Sequence, residues 1–241
     1  ASDYTNSLYD AQIALLKTFL ERSTTPYLDF RVIGLSGQEL LHVDKTGAMP
    51  TSSANFAGEA YFNQAIGLPT NQVYISDYDL DRASGVVTSP NVPILYYSVP
   101  LEVDGANVAV LVAKVSLTPL FADIVAHSST PLYLVSRDGS YLLNPDPAKL
   151  YGGVLNSFIT FDGERSRADV TAMFGSKQGI ITDPADFPDS LQVFVHIRPE
   201  TQIAIRWLVF RDIPIASILG EINATQEVAL LLAAISLLVA I

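Results

Sequence analysis

The sequence predicts an α+β chain: a long N-terminal helix, two modules of antiparallel sheet, and the start of a transmembrane helix. Three observations carry this. Apolar residues recur at helical spacing from Leu8 to Leu20. A strand–glycine turn–strand opening occurs at 27–44 and again at 132–144. The chain lacks the short βαβ alternation of a doubly wound sheet. Composition narrows the function classes. The chain of 241 residues is 49% hydrophobic and 16% charged, against about 25% charged in an average domain, which excludes a disordered chain. Acids outnumber bases by 25 to 14, for a net charge of −11. A phosphate-neutralising surface needs the opposite sign, so nucleic acid is not an expected partner. With no cysteine, a disulfide scaffold, a thiolate zinc site and a cysteine nucleophile are excluded.

The elements follow in order. Residues 3–24 read as a helix capped by Ser2 or Asp3, with Leu8, Ala11, Leu15 and Phe19 on one stripe and Pro26 ending it. Strands at 27–35 and 38–44 flank Ser36-Gly37. A Gly/Pro/Ser/Thr-rich loop covers 46–56, and a short helix 57–67. Strands are expected at 71–77, 92–102 and 106–117, the last two joined by Asp104-Gly105, a favoured hairpin turn. A brief helix follows at 118–127. The pattern then restarts: strands at 132–136 and 140–144 around Asp138-Gly139, a helix at 165–175, and strands at 178–182, 191–198 and 203–211. From Val228 to Ile241 the chain is apolar and uncharged. A spanning helix needs about 20 such residues, so this run reads as the outer part of one, cut short. The acidic chain before it lacks the basic flank of a cytoplasmic face, which points to an extracellular or periplasmic location. The expected division is a stalk helix at 1–26, modules at 27–126 and 127–215, and a helix entering the membrane at 216–241.

A family resemblance rests on GluAlaTyrPheAsnGlnAla (59–65), ValTyrIleSerAspTyrAspLeuAsp (73–81) with Gly85, ProIleLeuTyrTyrSerValProLeu (93–101) and AlaValLeuValAlaLysValSerLeu (109–117). In this order, behind a long helix, they resemble the membrane-distal half of a double Cache, PAS-like, extracytoplasmic sensor domain. LeuTyrLeuValSerArgAspGlySerTyrLeuLeuAsnProAsp (132–146) is similar to the start of the membrane-proximal half. The resemblance implies two PAS-like modules in a prokaryotic membrane receptor, with a histidine kinase, diguanylate cyclase or chemoreceptor output beyond Ile241. It further implies a small-molecule ligand in the distal module and a homodimer through the N-terminal helix. Amino-acid-binding members hold the ligand carboxylate with an Arg two residues before an aromatic pair, and the amine with an Asp on a later strand. With Tyr61-Phe62 in the aromatic position, these places fall on Glu59 and Lys114. Both have changed sign, which argues against an α-amino acid held in the usual way.

No enzyme motif is complete. Gly34-Leu35-Ser36-Gly37 brings its second glycine one residue too early for a nucleophile elbow. The histidines, His42, His127 and His196, are far apart. Asp77, Asp79 and Asp81 mimic the start of a calcium loop, but Arg82 stands where Gly is needed and Thr88 where Glu is needed. Neither a metal nor a cofactor is expected. Arg31 sits in an otherwise apolar strand, where an unpaired charge is costly: it either pairs with an acid such as Asp77 or binds an anion. Lys114 is either the strand's exit to solvent or a pocket cation. Tyr74, Ser76 and Tyr96 offer hydroxyls on strands lining the same cavity. The candidate ligand set is therefore Arg31, Glu59, Tyr61, Tyr74, Ser76, Asp77, Tyr96 and Lys114, and two basic residues in it point to an anionic ligand. Trp207 reads as core. The rival readings are an ectodomain with no small ligand, and an anchored hydrolase using Asp79 and Asp81.

Overall fold

The computed structural model describes residues 2–48, 53–128, 130–157, 159–197 and 206–218, with side chains from Asp10 onward. It is α+β with antiparallel sheets behind an N-terminal helix. The described residues divide into two compact units, one within residues 2–126 and the other within residues 127–197 and 206–218.

In the first unit helix α1 (Ser2–Arg22) precedes β1 (Tyr27–Gly34), β2 (Glu39–Asp44) and β3 (Gly47–Ala48). Next come α2 (Ala60–Asn63), the two-residue strands β4 (Tyr74–Ile75), β5 (Asp79–Leu80), β6 (Arg82–Ala83) and β7 (Val86–Val87), the long β8 (Pro93–Val103) and β9 (Ala106–Ser116), and α3 (Thr118–Ala126). The sheet order is β3-β2-β1-β9-β8-β4, with β5 also on β8, and β6 and β7 pair separately. Asp104 and Gly105 both take positive φ, 50° and 81°, the geometry that matches a two-residue hairpin turn to strand twist.

Strand alternation gives this sheet two different faces. Phe30, Leu41, Val43 and Ala113 pack with Leu20 of α1. The opposite face carries Ile33, Val110 and Val112 against Tyr61, Phe62 and Ala65 around α2. One irregularity matters. The β1–β2 register shifts between Val32 and Ile33, pairing Val32 with Leu41 and Ile33 with Glu39. This bulge at Leu40, which is exposed, turns Glu39 and His42 toward the α2 face together.

The expected helix at 57–67 is reduced to Ala60–Asn63, bracketed by Gly58 and Gly67-Leu68-Pro69. The expected strand at 71–77 pairs only at Tyr74 and Ile75. Beyond them Ser76 Oγ accepts from the Tyr96 N–H at 2.9 Å, so a side chain replaces the next carbonyl of the ladder.

In the second unit β10 (Tyr133–Val135) and β11 (Tyr141–Leu143) lead to a 3-10 turn at Pro147–Lys149 and three short helices, α4 (Gly152–Leu155), α5 (Phe161–Glu164) and α6 (Arg167–Gly175). Strands β12 (Gln178–Ile181), β13 (Ser190–Ile197) and β14 (Trp207–Pro214) complete a sheet ordered β11-β10-β14-β13-β12. Its core is Val135, Tyr141, Phe161, Met173, Phe194, Leu208 and Phe210. Trp207 is buried. The last strand begins at Trp207; 198–205, which hold the expected start at 203, lie outside the described residues. So do 219–241, with the apolar run from Val228. No helix among the described residues is long and apolar enough to cross a membrane.

Candidate functional site

The α2 face of the first sheet gathers charge on apolar ground. Alternation sends Asp29 and Arg31 of β1 to this face, and register sets Lys114 of β9 opposite Asp29 and His42 of β2 opposite Arg31. Lys114 Nζ lies 2.9 Å from Asp29 Oδ2 and 2.9 Å from Asp81 Oδ1. Arg31 Nε lies 3.3 Å from Asp29 Oδ1 and 3.6 Å from Glu39 Oε1, and its guanidinium sits 5.6 Å from the centre of the Phe56 ring. His42 adds Nε2 at 3.7 Å from Asp29 and Nδ1 at 3.9 Å from Glu39. Three carboxylates thus meet two permanent cations and one imidazole.

Burial and pairing set the protonation states. Burial alone would raise the Asp29 carboxyl, but the hydrogen bond from His42 and the charges of Lys114 and Arg31 hold it down at about 2. Burial works against the Lys114 ammonium and is outweighed by Asp29 and Asp81, so its pKa is raised. Arg31 is raised in the same way by Asp29 and Glu39 against its burial. Burial also pushes up the phenols of Tyr61 and Tyr96, whose rings pack as a tilted pair with centroids 4.4 Å apart. Both remain neutral hydroxyls at physiological pH.

The structure brings Arg31, Tyr61, Tyr96 and Lys114 together, with Tyr74 packed against the same apolar cluster. Ser76 has a backbone role: its Oγ donates to the Asp77 carbonyl at 2.7 Å and accepts from Tyr96. Asp77 accepts from the Tyr78 N–H at 2.9 Å. Glu59 is exposed at the N-cap of α2, without a capping hydrogen bond. Arg31 does pair with acids, but these are Asp29 and Glu39 rather than Asp77, because strand alternation and the bulge place them nearer. Lys114 is no exit to solvent; it is 8% exposed. A third basic residue on a strand of this unit, Arg82 of β6, pairs with Asp79 at 3.3 Å. The three acids of the 77–81 run diverge, to a backbone N–H, to Arg82 and to Lys114.

Sequence reasoning missed Asp29, Glu39 and Phe56, and named His42 and Asp81 without joining them to this cluster. Asp29 was legible as the i−2 neighbour of Arg31 on one strand face; Glu39 depended on the bulge. A cleft of about 420 Å³ lies elsewhere, on the α1 face, lined by Leu16, Phe19, Tyr27, Phe30, Tyr97 and Leu111 among others. It is apolar and does not include the charged cluster.

Comparison with known proteins follows the same lines. The extracellular domain of vpHK1S-Z8, designated a histidine kinase, aligns with 21% identity over 88% of this chain and 78% of its own, at a TM-score of 0.66. A domain of a Vibrio parahaemolyticus protein designated as sensory box/GGDEF family aligns with 20% identity over 84% and 77%, also at 0.66. The ligand-binding domain of the Pseudomonas fluorescens chemoreceptor CtaA, in complex with L-leucine, aligns with 15% identity over 84% and 76%, at 0.54. At these identities the likeness is one of fold. No curated protein matches the sequence. The profile of the bacterial histidine kinase sensor domain matches residues 15–197. With most of the chain covered, and both units sharing the fold of extracellular sensor domains, the protein belongs to the family of bacterial histidine kinase sensor domains.

Proposed function

We propose that the first unit is the membrane-distal, ligand-sensing module of a transmembrane receptor, and that its ligand is a small zwitterion bound on the α2 face between Arg31, Tyr61, Tyr96 and Lys114. One observation carries this reading: every cation on the face already has an internal carboxylate. A purely anionic ligand would face Asp29, Glu39 and Asp81, and the argument from two unpaired cations no longer holds. A ligand of one sign leaves a buried charge uncompensated, which is strongly unfavourable. A zwitterion exchanges partners without changing the net charge, its carboxylate toward Arg31 and its ammonium toward Asp81. The amino acid in the CtaA complex belongs to this chemical class. Asp81, brought to Lys114 by the fold, supplies the acid missing at the family's amine-holding position.

Binding acts on output only through a difference in affinity between two conformations of the receptor. The second unit would be the membrane-proximal module and the apolar C-terminal run the link to the membrane. The module itself is a binding domain rather than a catalyst. The test is calorimetric titration of the chain with L-leucine, 4-methylpentanoate and 3-methylbutylamine, which share a side chain and differ in charge. Heat of binding from the zwitterion alone is expected. Equal binding of the carboxylate would restore the anionic reading; binding of the amine alone would make the face a cation site. Silence from all three would reject the zwitterion class represented by the probe.

A further inference from the structure

The second unit holds buried polar groups that the first unit's site does not involve. Gln192 of β13 and Asp212 of β14 are cross-strand partners, on the face that also carries Phe194 and Phe210. Gln192 is fully buried, and neither its Oε1 nor its Nε2 has a hydrogen-bond partner among the described residues. Asp212 Oδ2 accepts from Arg165 Nη2 at 3.0 Å. The other two atoms of that pair, Asp212 Oδ1 and Arg165 Nη1, are buried and likewise unpartnered among the described residues. Native folds leave only a few such groups per hundred residues. Here two belong to one ion pair, whose guanidinium also meets the Tyr141 hydroxyl, and two to the residue set opposite its carboxylate across the strands.

Aromatic rings wall the place. The Arg165 guanidinium carbon lies 4.2 Å from the centre of the Phe187 ring, 4.9 Å from Phe210 and 5.5 Å from Tyr133. Phe187 comes from the loop between β12 and β13, which Asp169 holds by accepting from the N–H groups of Ala185 and Asp186 at 3.3 and 3.4 Å. Phe187 is 39% exposed, so this ring separates the guanidinium from solvent.

We propose that Arg165, Asp212 and Gln192 form a second ligand site, for a small neutral molecule bearing a planar amide edge, entered by displacement of Phe187. The Arg165–Asp212 pair is internally neutral, so a charged ligand would strand its charge among aromatic rings. The unpaired atoms are two donors, Arg165 Nη1 and Gln192 Nε2, and two acceptors, Asp212 Oδ1 and Gln192 Oε1. An amide presents a carbonyl and an N–H side by side and answers both kinds. Asp212 lies two residues before the end of β14, so an occupant bears directly on the last strand of the unit.

The site is independent of the zwitterion reading, and its test is separate. Acetamide, the smallest probe with the required edge, is titrated into the isotopically labelled chain and followed by NMR. Saturable shifts are expected at the Gln192 side-chain amide and at the backbone of 185–189, unchanged in Arg31→Ala. Gln192→Leu should weaken the response at least about tenfold, equivalent to about 1.4 kcal/mol, while melting no lower than the parent, because an unsatisfied buried amide is replaced by an apolar group. Gln192→Met serves under the same criteria if the Leu variant fails to fold. No saturable shift, an equal response to tert-butanol, or unchanged affinity in the Gln192 variant would each overturn the site and leave only ordered water to satisfy these atoms.

Discussion

Asp29 is the residue on which the charged face turns, because it accepts from both Lys114 and Arg31. Its carboxyl titrates at about 2 in the fold against an ordinary 3.8. A depressed carboxyl stabilises the fold above its unfolded pKa and loses that contribution as pH falls through the folded value. Asp29 should therefore contribute roughly 2 kcal/mol at neutral pH, lost between about pH 4 and pH 2. Asp29→Asn should flatten this part of an acid-unfolding curve followed by circular dichroism; an unchanged curve would remove Asp29 from the network. Lys114→Met keeps the stem and removes the charge, leaving Asp29 and Asp81 facing each other. Breaking a buried pair in this way costs about 3–5 kcal/mol. Adding Asp81→Asn to Lys114→Met should recover part of the loss in a denaturant titration, which a merely steric role for Lys114 would not allow. Arg31→Ala should both lower the melting temperature and weaken zwitterion binding about 10- to 150-fold, for a charge-assisted bond worth roughly 1.5–3 kcal/mol.

Among the elements, the β8–β9 hairpin is the spine of the first sheet, since it sets Tyr96 opposite Lys114 and Ser98 opposite Val112. Its turn requires positive φ at Asp104 and Gly105. Asp104→Asn should be nearly silent, because Asn tolerates the left-handed region. Gly105→Ala should cost about 1–2 kcal/mol because a residue with a Cβ is strained at this left-handed φ, although the space around it is open, read as a shift in the denaturation midpoint with unchanged slope. Equal midpoints for the two variants would mean that the turn does not constrain the hairpin. The bulge at Leu40 acts in the opposite sense, since it breaks regular pairing to bring Glu39 beside Arg31. Deleting Leu40 would leave a regular ladder that keeps Glu39 opposite Ile33 on the α2 face, whereas pairing Leu40 itself with Ile33 would turn Glu39 to the α1 face, among Leu20, Phe30 and Val43.

Considered as a whole molecule, the chain has separate sheets and separate cores in its two units. Calorimetric unfolding should then resolve two transitions rather than one. Arg31→Ala should displace one of them and Phe161→Ala, which removes a fully buried ring from the second core, the other. A single transition moved equally by both substitutions would show that the units unfold as one cooperative body. Selective displacement of the first-unit transition by a zwitterionic ligand would place sensing in that unit, through the stabilisation any ligand confers on the state it binds.

Local chemistry determined much of this protein from its sequence. The helical spacing before Pro26 yields α1, Asp104-Gly105 yields the hairpin, and Ser36-Gly37 and Asp138-Gly139 both open antiparallel pairs, because propensity, turn geometry and alternation act within a few residues. Of the charged face, Arg31, Tyr61, Tyr96 and Lys114 were legible as polar groups on strands or beside them. Their partners were not. Asp29 and Lys114 are distant in sequence and meet only through the β1–β9 register; Asp81 reaches Lys114 only because β5 returns to β8; Glu39 joins them only through a one-residue bulge. Composition counted the charges, but which charge neutralises which is settled by strand register, a property of chain segments far apart. Tertiary structure alone therefore decided that the two cations are held within the protein rather than left free for an anion.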